Sequence, residues 1–358
     1  MSTPTSVYSR KGDKTGMSHI TKIESISHSE PVDRHEDSEP TQDGRSHQLV
    51  DEDESPTNTT ADLAGSISKT VSRSEMPAWY QDNIYIFTGY RRICYSYKAC
   101  AQSLFYIHNE TGNVYSHLIG AVLFLALFGY TLYRAIPVVD TAKWSDVTVL
   151  VIFILSAIGC LALSTFFHLF CCHSEKVSVA WNKADYVGIV FLIVGSFVPA
   201  LYYAFYCQTT FQAVYITSMV VLGTGTIVIS VSKHFSRPQY RQTRAILFTS
   251  LGLSGIIPVL HTTIASGALF AERSMSLSSV ITEGVLYVAG AFIYASRVPE
   301  RWFPGKFDFW FHSHQIFHIL VVSAAVVHYR GMIAAYTWWH QMNPQCLTSM
   351  DQLVHSVA

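Results

Sequence analysis

The chain has 358 residues, of which 49% are hydrophobic and only 14% are charged. Its net charge of −1 hides an uneven distribution of charge, and its seven cysteines show neither CxxC spacing nor a disulfide framework. This composition excludes a small disulfide-stapled scaffold, and no nucleic-acid partner is expected.

The N-terminal part of the chain is polar. Residues 1–78 carry 14 acidic and 8 basic side chains, many Ser and Thr, and a single aromatic residue, Tyr8. Such a segment cannot bury enough apolar surface to fold, so we predict a disordered cytosolic tail. Residues 79–113 are rich in aromatic side chains and include Arg91, Arg92 and Lys98. We expect them to form an interfacial juxtamembrane segment before the first span.

Seven apolar stretches follow, each long enough for a bilayer crossing of about 20 residues. They are predicted at 114–136, 147–170, 184–206, 211–232, 245–270, 278–296 and 315–337. The sequence therefore predicts an all-α polytopic membrane protein. Its seven-helix bundle occupies residues 114–337, and a C-terminal tail occupies 338–358.

The basic residues of the short loops predict the orientation of this bundle. The loops after spans two, four and six hold nine Lys and Arg residues, whereas those after spans one, three and five hold three. The basic side faces the cytosol, so the N-terminus is expected inside and the C-terminus outside. This orientation is opposite to that of G-protein-coupled receptors and argues against that class.

The run FHSHQIFH at 311–318 begins the last span and contains a pair of histidines, His314 and His318. Residues four apart on a helix lie about 40° apart on one face, one turn from each other. Two imidazoles at this spacing are half of a zinc site. Ionisable groups at the edge of a span are costly to desolvate, which makes the pair a functional candidate.

Three further polar groups are predicted at the same cytosolic depth: His168 and Ser164 in span two, and Asp185 in span three. Three neutral imidazoles with an open fourth position form the ligand set of a catalytic zinc site. Asp185 could be a fourth ligand, could orient a histidine, or could hold and deprotonate a water at the metal, and we favour the last role. Ser164 could hydrogen-bond that water or a developing oxyanion, or bond back to the carbonyl of Cys160.

Other polar residues near the spans are interpreted as structural. Glu110, Asn113 and His117 share one helical face at the start of span one, where capping is favoured and a ligand role for His117 is the lesser alternative. His312 lies about 200° from His314 on a helix, so both cannot face one metal ion. His261 lies about 24 Å from the inner end of its span, which is too far from the site. Both are excluded as ligands. Glu283 is expected to snorkel to water near the outer end of span six.

These motifs resemble those of the progestin and adipoQ receptors, also called the haemolysin III family, and within it the adiponectin-receptor branch. The similarity is carried by ExxNxxxH at 110–117, SxxxH at 164–168 with Asp185, and HxxxH at 314–318. The longer runs VPERWFPGKFDFWFHSHQIFH (298–318) and GLSGIIPVLH (252–261) are also typical of that branch. The resemblance covers about residues 79–330.

The resemblance implies a seven-helix bundle with Zn²⁺ on His168, His314 and His318, and with Asp185 acting through water. It implies a lipid cavity open to the cytosolic leaflet and hydrolysis of ceramide to a sphingoid base and a free fatty acid. By position in the family pattern, Tyr186 and Arg244 lie near the lipid head or the released carboxylate. Arg244 could equally serve as a positive-inside anchor.

The function predicted first is therefore a zinc-dependent amidohydrolase of ceramide type that links lipid metabolism to signalling. The alternative is a non-enzymatic receptor or sensor with a structural zinc, involved in lipid or metal homeostasis and open to an extracellular protein ligand. A metal transporter is disfavoured, since we see no second ligand cluster along a path across the membrane. The plasma membrane is the expected location, with internal membranes as the alternative.

Overall fold

The computed structural model describes residues 69–137, 141–235 and 238–341. The predicted disorder of residues 1–68 and the predicted outer tail at 342–358 lie outside these ranges. Residues 69–78, which the sequence analysis assigned to the tail, form part of the structured segment.

The segment before the bundle is a small ordered unit. Strand β1 (Thr70–Val71) pairs antiparallel with β2 (Tyr90–Arg91), with Thr70 opposite Arg91. Helix α1 (Tyr97–Gln102) follows, and the Ser96 hydroxyl caps it by accepting from the Ala99 amide at 3.3 Å.

Nine further α-helices follow in the part of the chain that the structure describes. They are α2 (Thr111–Tyr130, continued by a π turn at Thr131–Ala135), α3 (Trp144–Phe170), α4 (Glu175–Ala204), α5 (Thr209–Val231), α6 (Arg241–Leu253), α7 (Ile256–Ser266), α8 (Ala268–Met275), α9 (Leu277–Ser296) and α10 (Ser313–Gln341). Seven segments are long and apolar enough to span a membrane, which confirms the predicted seven-helix architecture.

The predicted fifth span at 245–270 is not one continuous helix. It is divided between α6 and α7 at Ser254 and Gly255, and α8 begins after Gly267. Pro258 lies in the first turn of α7 and has no N–H to donate to the carbonyl of Ser254, so the α6 hydrogen-bond ladder stops there. Gly267 has a φ of +86°, which ends α7 in a backbone conformation that favours glycine.

Helices α3, α4 and α10 form the centre of the bundle. Between 44% and 50% of their apolar windows are buried by protein, compared with 6% for α9. Helices α3 and α4 approach closely at Gly188, where an added Cβ would lie 3.0 Å from the Cα of Cys160. This contact sets Asp185, one turn earlier in α4, beside the last two turns of α3.

Residues 69–110 cover one end of the bundle, the capped end. The buried Arg91 guanidinium donates to the carbonyl oxygens of His168 at 2.5 Å and Leu169 at 3.0 Å. These are among the carbonyls that the last turn of a helix leaves unpaired. Asp308, from the loop between α9 and α10, accepts from the backbone amides of Phe87 and Thr88. The capped segment therefore fixes the ends of the helices that carry the candidate site.

Cysteine pairing differs from the expectation of no disulfides. Cys207, in the loop after α4 at the opposite end of the bundle, is disulfide-bonded. Five other cysteines of the described ranges are free thiols: Cys94, Cys100, Cys160, Cys171 and Cys172.

Candidate metal centre

Three histidines converge at the capped end. His168 lies in the last turn of α3, and His314 and His318 lie in the first two turns of α10. The ligand nitrogen atoms of the three imidazoles all lie within 4.8 Å of one another, and neighbouring ring centroids are 4.7–4.9 Å apart. One ion with metal–nitrogen bonds of about 2.0–2.1 Å can be reached by all three side chains after small rotations.

The surroundings of His168 and His318 orient both rings for metal binding. The Nδ1 atom of His168 lies 2.7 Å from Oε2 of Glu110, and its Nε2 atom is buried with no protein hydrogen-bond partner within the described ranges. The Nδ1 atom of His318 lies 3.3 Å from the carbonyl oxygen of Asn113 and 3.1 Å from Oγ of Ser116. Pairing of Nδ1 with an acceptor leaves Nε2 as the ligand, the usual arrangement of metal-bound imidazoles. The residues present therefore fit a zinc-type ion.

Glu110 does not cap α2 as predicted. It occupies the N-cap position but makes no capping hydrogen bond with its side chain. Its carboxylate instead turns into the site, where it contacts His168 and accepts from the Asn113 amide at 2.6 Å. Although burial raises the pKa of Glu110, His168 and Asn113 together hold it well below its usual range. Glu110 thus orients a candidate ligand through its carboxylate.

His117 lies beside the candidate ligands without joining them. Its ring stacks on that of His318, with centroids 3.5 Å apart and an angle of 8° between the planes. Its nitrogens are not part of the converging set. His117 therefore packs against the His318 ring and restricts its orientation.

Asp185 and Ser164 line the same cavity as the three histidines. The Asp185 carboxyl is 8% exposed and is not among the converging ligand atoms. Ser164 is 1% exposed, and its hydroxyl faces the Asp185 carboxyl without a hydrogen bond of good geometry to it or to any other group of the described ranges. The alternative in which Ser164 bonds back to the carbonyl of Cys160 is therefore wrong. A buried, unpaired hydroxyl in a polar site is available to a ligand.

The cavity has a volume of about 1490 Å³ and runs between α3, α4, α6, α7, α9 and α10. It extends from Asp185 along α4 to Phe197, which is about 18 Å of helix. Away from the capped end its lining is mostly apolar and includes Leu192, Val259 and Val280, with Glu283 as a charged exception. The polar groups thus stand at the capped end of a long apolar cavity.

Tyr186 and Arg244 also line this cavity and contact each other. The Arg244 guanidinium lies 4.7 Å from the centroid of the Tyr186 ring, and it donates to the carbonyl oxygen of Phe235 at 2.6 Å. Arg244 is only 5% exposed, so its side chain is buried within the protein. This burial disfavours the alternative of a lipid-facing positive-inside anchor.

Arg241, which was predicted only as a loop charge, is buried beside the site. Its guanidinium stacks 3.9 Å from the centroid of the Tyr294 ring, which packs in turn against His314 at 5.1 Å. The Nη1 and Nε atoms of Arg241 are buried and find no acceptor among the residues described. The spacing of Arg241 and Arg244, three apart on one helix face, was the signal that could have identified a pair of cationic groups.

The two excluded histidines have partners of their own, and Glu283 differs from expectation. His312 has its Nε2 atom 3.3 Å from the carbonyl oxygen of Asn109, and His261 pairs with the Tyr215 hydroxyl at 3.0 Å. Glu283 does not snorkel to water, because its carboxylate lies 2.7 Å from Nδ1 of the buried His328. A polar partner inside the bundle therefore replaces solvent for Glu283.

The haemolysin-III-related family profile matches residues 105–329. The chain is 42% identical over 285 residues to the adiponectin receptor protein of Drosophila melanogaster, a match that covers 80% of this chain and 63% of that protein. It is 38% identical to the ADIPOR-like receptor IZH2 of Saccharomyces cerevisiae, over 76% of this chain and 86% of that one. It is 34% identical to the heptahelical transmembrane protein 4 of Arabidopsis thaliana, over 74% of this chain and 87% of that protein. The chain therefore belongs to the haemolysin-III-related family of heptahelical membrane proteins, in its adiponectin-receptor-like branch.

Proposed function

We propose that this protein is a zinc-dependent hydrolase of long-chain lipid amides of the ceramide class. One observation carries the proposal. Three converging imidazoles, a separate carboxyl group and an unpaired hydroxyl meet at the polar end of a long apolar cavity. This is the combination that hydrolysis of an amide inside an apolar environment requires.

The donor set favours zinc because three neutral imidazoles leave an open coordination position, as catalytic zinc sites do. A zinc ion held by His168, His314 and His318 would supply a Lewis acid for the amide carbonyl and acidify the attacking water. Asp185 would accept the proton of that water and return it to the leaving amine. The Ser164 hydroxyl would donate a hydrogen bond to the oxygen of the carbonyl under attack.

The shape and charge of the cavity support a lipid substrate. Its volume exceeds the roughly 300–1,000 Å³ of pockets for drug-sized molecules, and its deep walls offer apolar contacts to hydrocarbon chains. Arg241 and Arg244 would hold the carboxylate of the released fatty acid, because guanidinium groups form charge-assisted hydrogen bonds with carboxylates. The positions of the two arginines near His314 and Tyr186 suit that role.

The test is release of fatty acid from ceramide by the purified full-length protein. We expect turnover by the zinc-loaded protein, its loss after chelation, and its recovery when Zn²⁺ is added back. Circular dichroism and gel filtration after chelation separate loss of catalysis from loss of fold. Absence of turnover by a folded protein whose histidine site is loaded with zinc would contradict the proposal.

That last result would favour the second candidate, a receptor or sensor in which zinc is structural. The ligands and their hydrogen-bond partners come from α2, α3 and α10, so a bound ion would fasten three helices at one end. For this candidate we expect chelation to lower the thermal unfolding temperature without any enzymatic change. An extracellular protein ligand belongs to this candidate as well.

The proposed orientation places the capped end in the cytosol. Support comes from the excess of Lys and Arg in the loops at that end. The disulfide at Cys207 lies at the opposite end, and disulfides persist on the oxidising side of a membrane. In intact cells, we expect antibody to bind an epitope tag placed after residue 358 and not one placed before residue 1. Permeabilised cells should bind antibody at both tags, and surface binding at the N-terminal tag would overturn the orientation.

A further inference from the structure

A second cluster of metal-ligating side chains lies at the capped end, apart from the histidines. The Sγ atoms of Cys94 and Cys100 are 3.3 Å apart, and those of Cys100 and Cys172 are 3.6 Å apart. All three sulfur atoms lie within 4.8 Å of one another. The three residues come from three segments: the loop after β2, helix α1 and the turn after α3.

The backbone holds these segments in fixed register. The Cys94 amide donates to the carbonyl of Cys172 at 3.1 Å, and the Tyr95 amide donates to the carbonyl of His173 at 3.0 Å. The Ser96 hydroxyl caps the helix that carries Cys100. The sulfur atoms are therefore brought together by the local fold rather than by flexible side chains alone.

We propose that Cys94, Cys100 and Cys172 form a second metal site, which binds a soft thiophilic ion, Zn²⁺ or Cu⁺, through three sulfur atoms. Thiolates select these ions over hard cations such as Mg²⁺ or Ca²⁺. Tetrahedral zinc with bonds of about 2.3 Å to sulfur places its sulfur ligands about 3.8 Å apart. The separations of 3.3 and 3.6 Å are close to that value.

The surroundings suit a bound ion better than bare thiolates. Cys100 and Cys172 are 0% and 2% exposed in an apolar cluster that includes Val71 and Ile86, where an uncompensated negative charge is costly. Cys94 is half-buried and gives an ion and a fourth ligand, such as water, access from solvent. The Arg91 guanidinium, 3.2 Å from Sγ of neighbouring Cys171, adds positive charge beside the cluster.

The thiol site is coupled to the histidine site through the end of α3. Cys172 lies four residues after His168, and Arg91 binds the carbonyl oxygen of His168. An ion on the three cysteines would fasten the capped segment to the turn that follows His168. The thiol site therefore goes beyond the proposed hydrolase, and its existence does not depend on lipid turnover.

The wild-type full-length protein gives a first test that needs no variant. Under reducing conditions, Zn²⁺ or Cu⁺ should protect Cys94, Cys100 and Cys172 from alkylation together, as read by peptide mass spectrometry. Separate titrations with Zn²⁺ and with Cu⁺ show which ion protects the three thiols at the lower free concentration. Co²⁺ loading should add a sulfur-to-metal charge-transfer band. Alkylation of the three thiols that is unchanged by either ion would overturn the proposal.

Paired variants then locate the site. Bound metal, measured as zinc plus copper, should fall from two equivalents per chain to one in Cys94→Ser/Cys172→Ser, and the charge-transfer band should disappear. Cys171→Ser is the matched control, because it changes a buried thiol of the same turn outside the cluster, and it should keep both equivalents. The variant His314→Ala/His318→Ala should keep the charge-transfer band, which separates this proposal from the hydrolase proposal. A disulfide within the cluster in protein prepared without oxidant would contradict the metal site.

Discussion

Replacing Asp185 with asparagine is expected to lower the rate of ceramide hydrolysis by about 10²- to 10⁴-fold while zinc content stays unchanged. Asparagine has nearly the same shape as aspartate but cannot accept a proton from the attacking water. The Asp185 carboxyl is not part of the converging histidine set, so its replacement leaves three ligands in place. The measurement pairs fatty-acid release with zinc analysis of the same purified samples.

Two variants make that result specific. His314→Ala removes one of the three candidate ligands, so the zinc of the histidine site and hydrolysis should both be lost. Asp146→Asn changes another buried aspartate, which contacts His340 at the opposite end of the bundle, and should leave the rate per folded molecule unchanged. If Asp185→Asn loses zinc together with activity, Asp185 is a metal ligand. If Asp185→Asn keeps full activity, another group is the proton acceptor.

The number and type of the spans could be predicted from the sequence because bilayer thickness sets the length of an apolar helix. The division of the fifth span depends on Pro258 and on local packing, including Gly255, where an added Cβ would clash with the Phe197 ring. A sliding hydropathy window detects neither the proline nor the packing at Gly255. The pairing of Thr70–Val71 with Tyr90–Arg91 was also missed, since two-residue strands have no periodicity to detect.

The proximity of His168, His314 and His318 could be predicted because all three lie at the same depth in the membrane. The loop charges predict the orientation of the bundle, and the orientation gives the depth of any polar residue in a span. Contacts between individual side chains could not be predicted in this way. Glu110 has the residue type and position of a helix cap, yet it turns toward His168 because an imidazole N–H lies within reach. Cys94 and Cys172 lie 78 positions apart in the chain, so their spacing carried no metal-binding pattern.

The Glu110→Gln variant is expected to bind zinc about 10- to 100-fold more weakly than the wild-type protein. The substitution keeps the size of the side chain and an oxygen that can accept from Asn113. It removes the negative charge that lies 2.7 Å from Nδ1 of His168. That charge favours the tautomer with a proton on Nδ1 and makes Nε2 a better donor to a metal ion. Competition with a chelator of known affinity measures the change.

Glu75→Gln is the matched control for this measurement. It also removes a carboxylate from the capped segment, but Glu75 is paired with Ser72 and with Arg92 rather than with a histidine. Its zinc affinity should equal that of the wild-type protein. Equal affinity in Glu110→Gln as well would show that the Glu110 carboxylate does not tune the site. A loss confined to Glu110→Gln, with unchanged helix content, would show that a residue outside the ligand set helps to determine the strength of zinc binding.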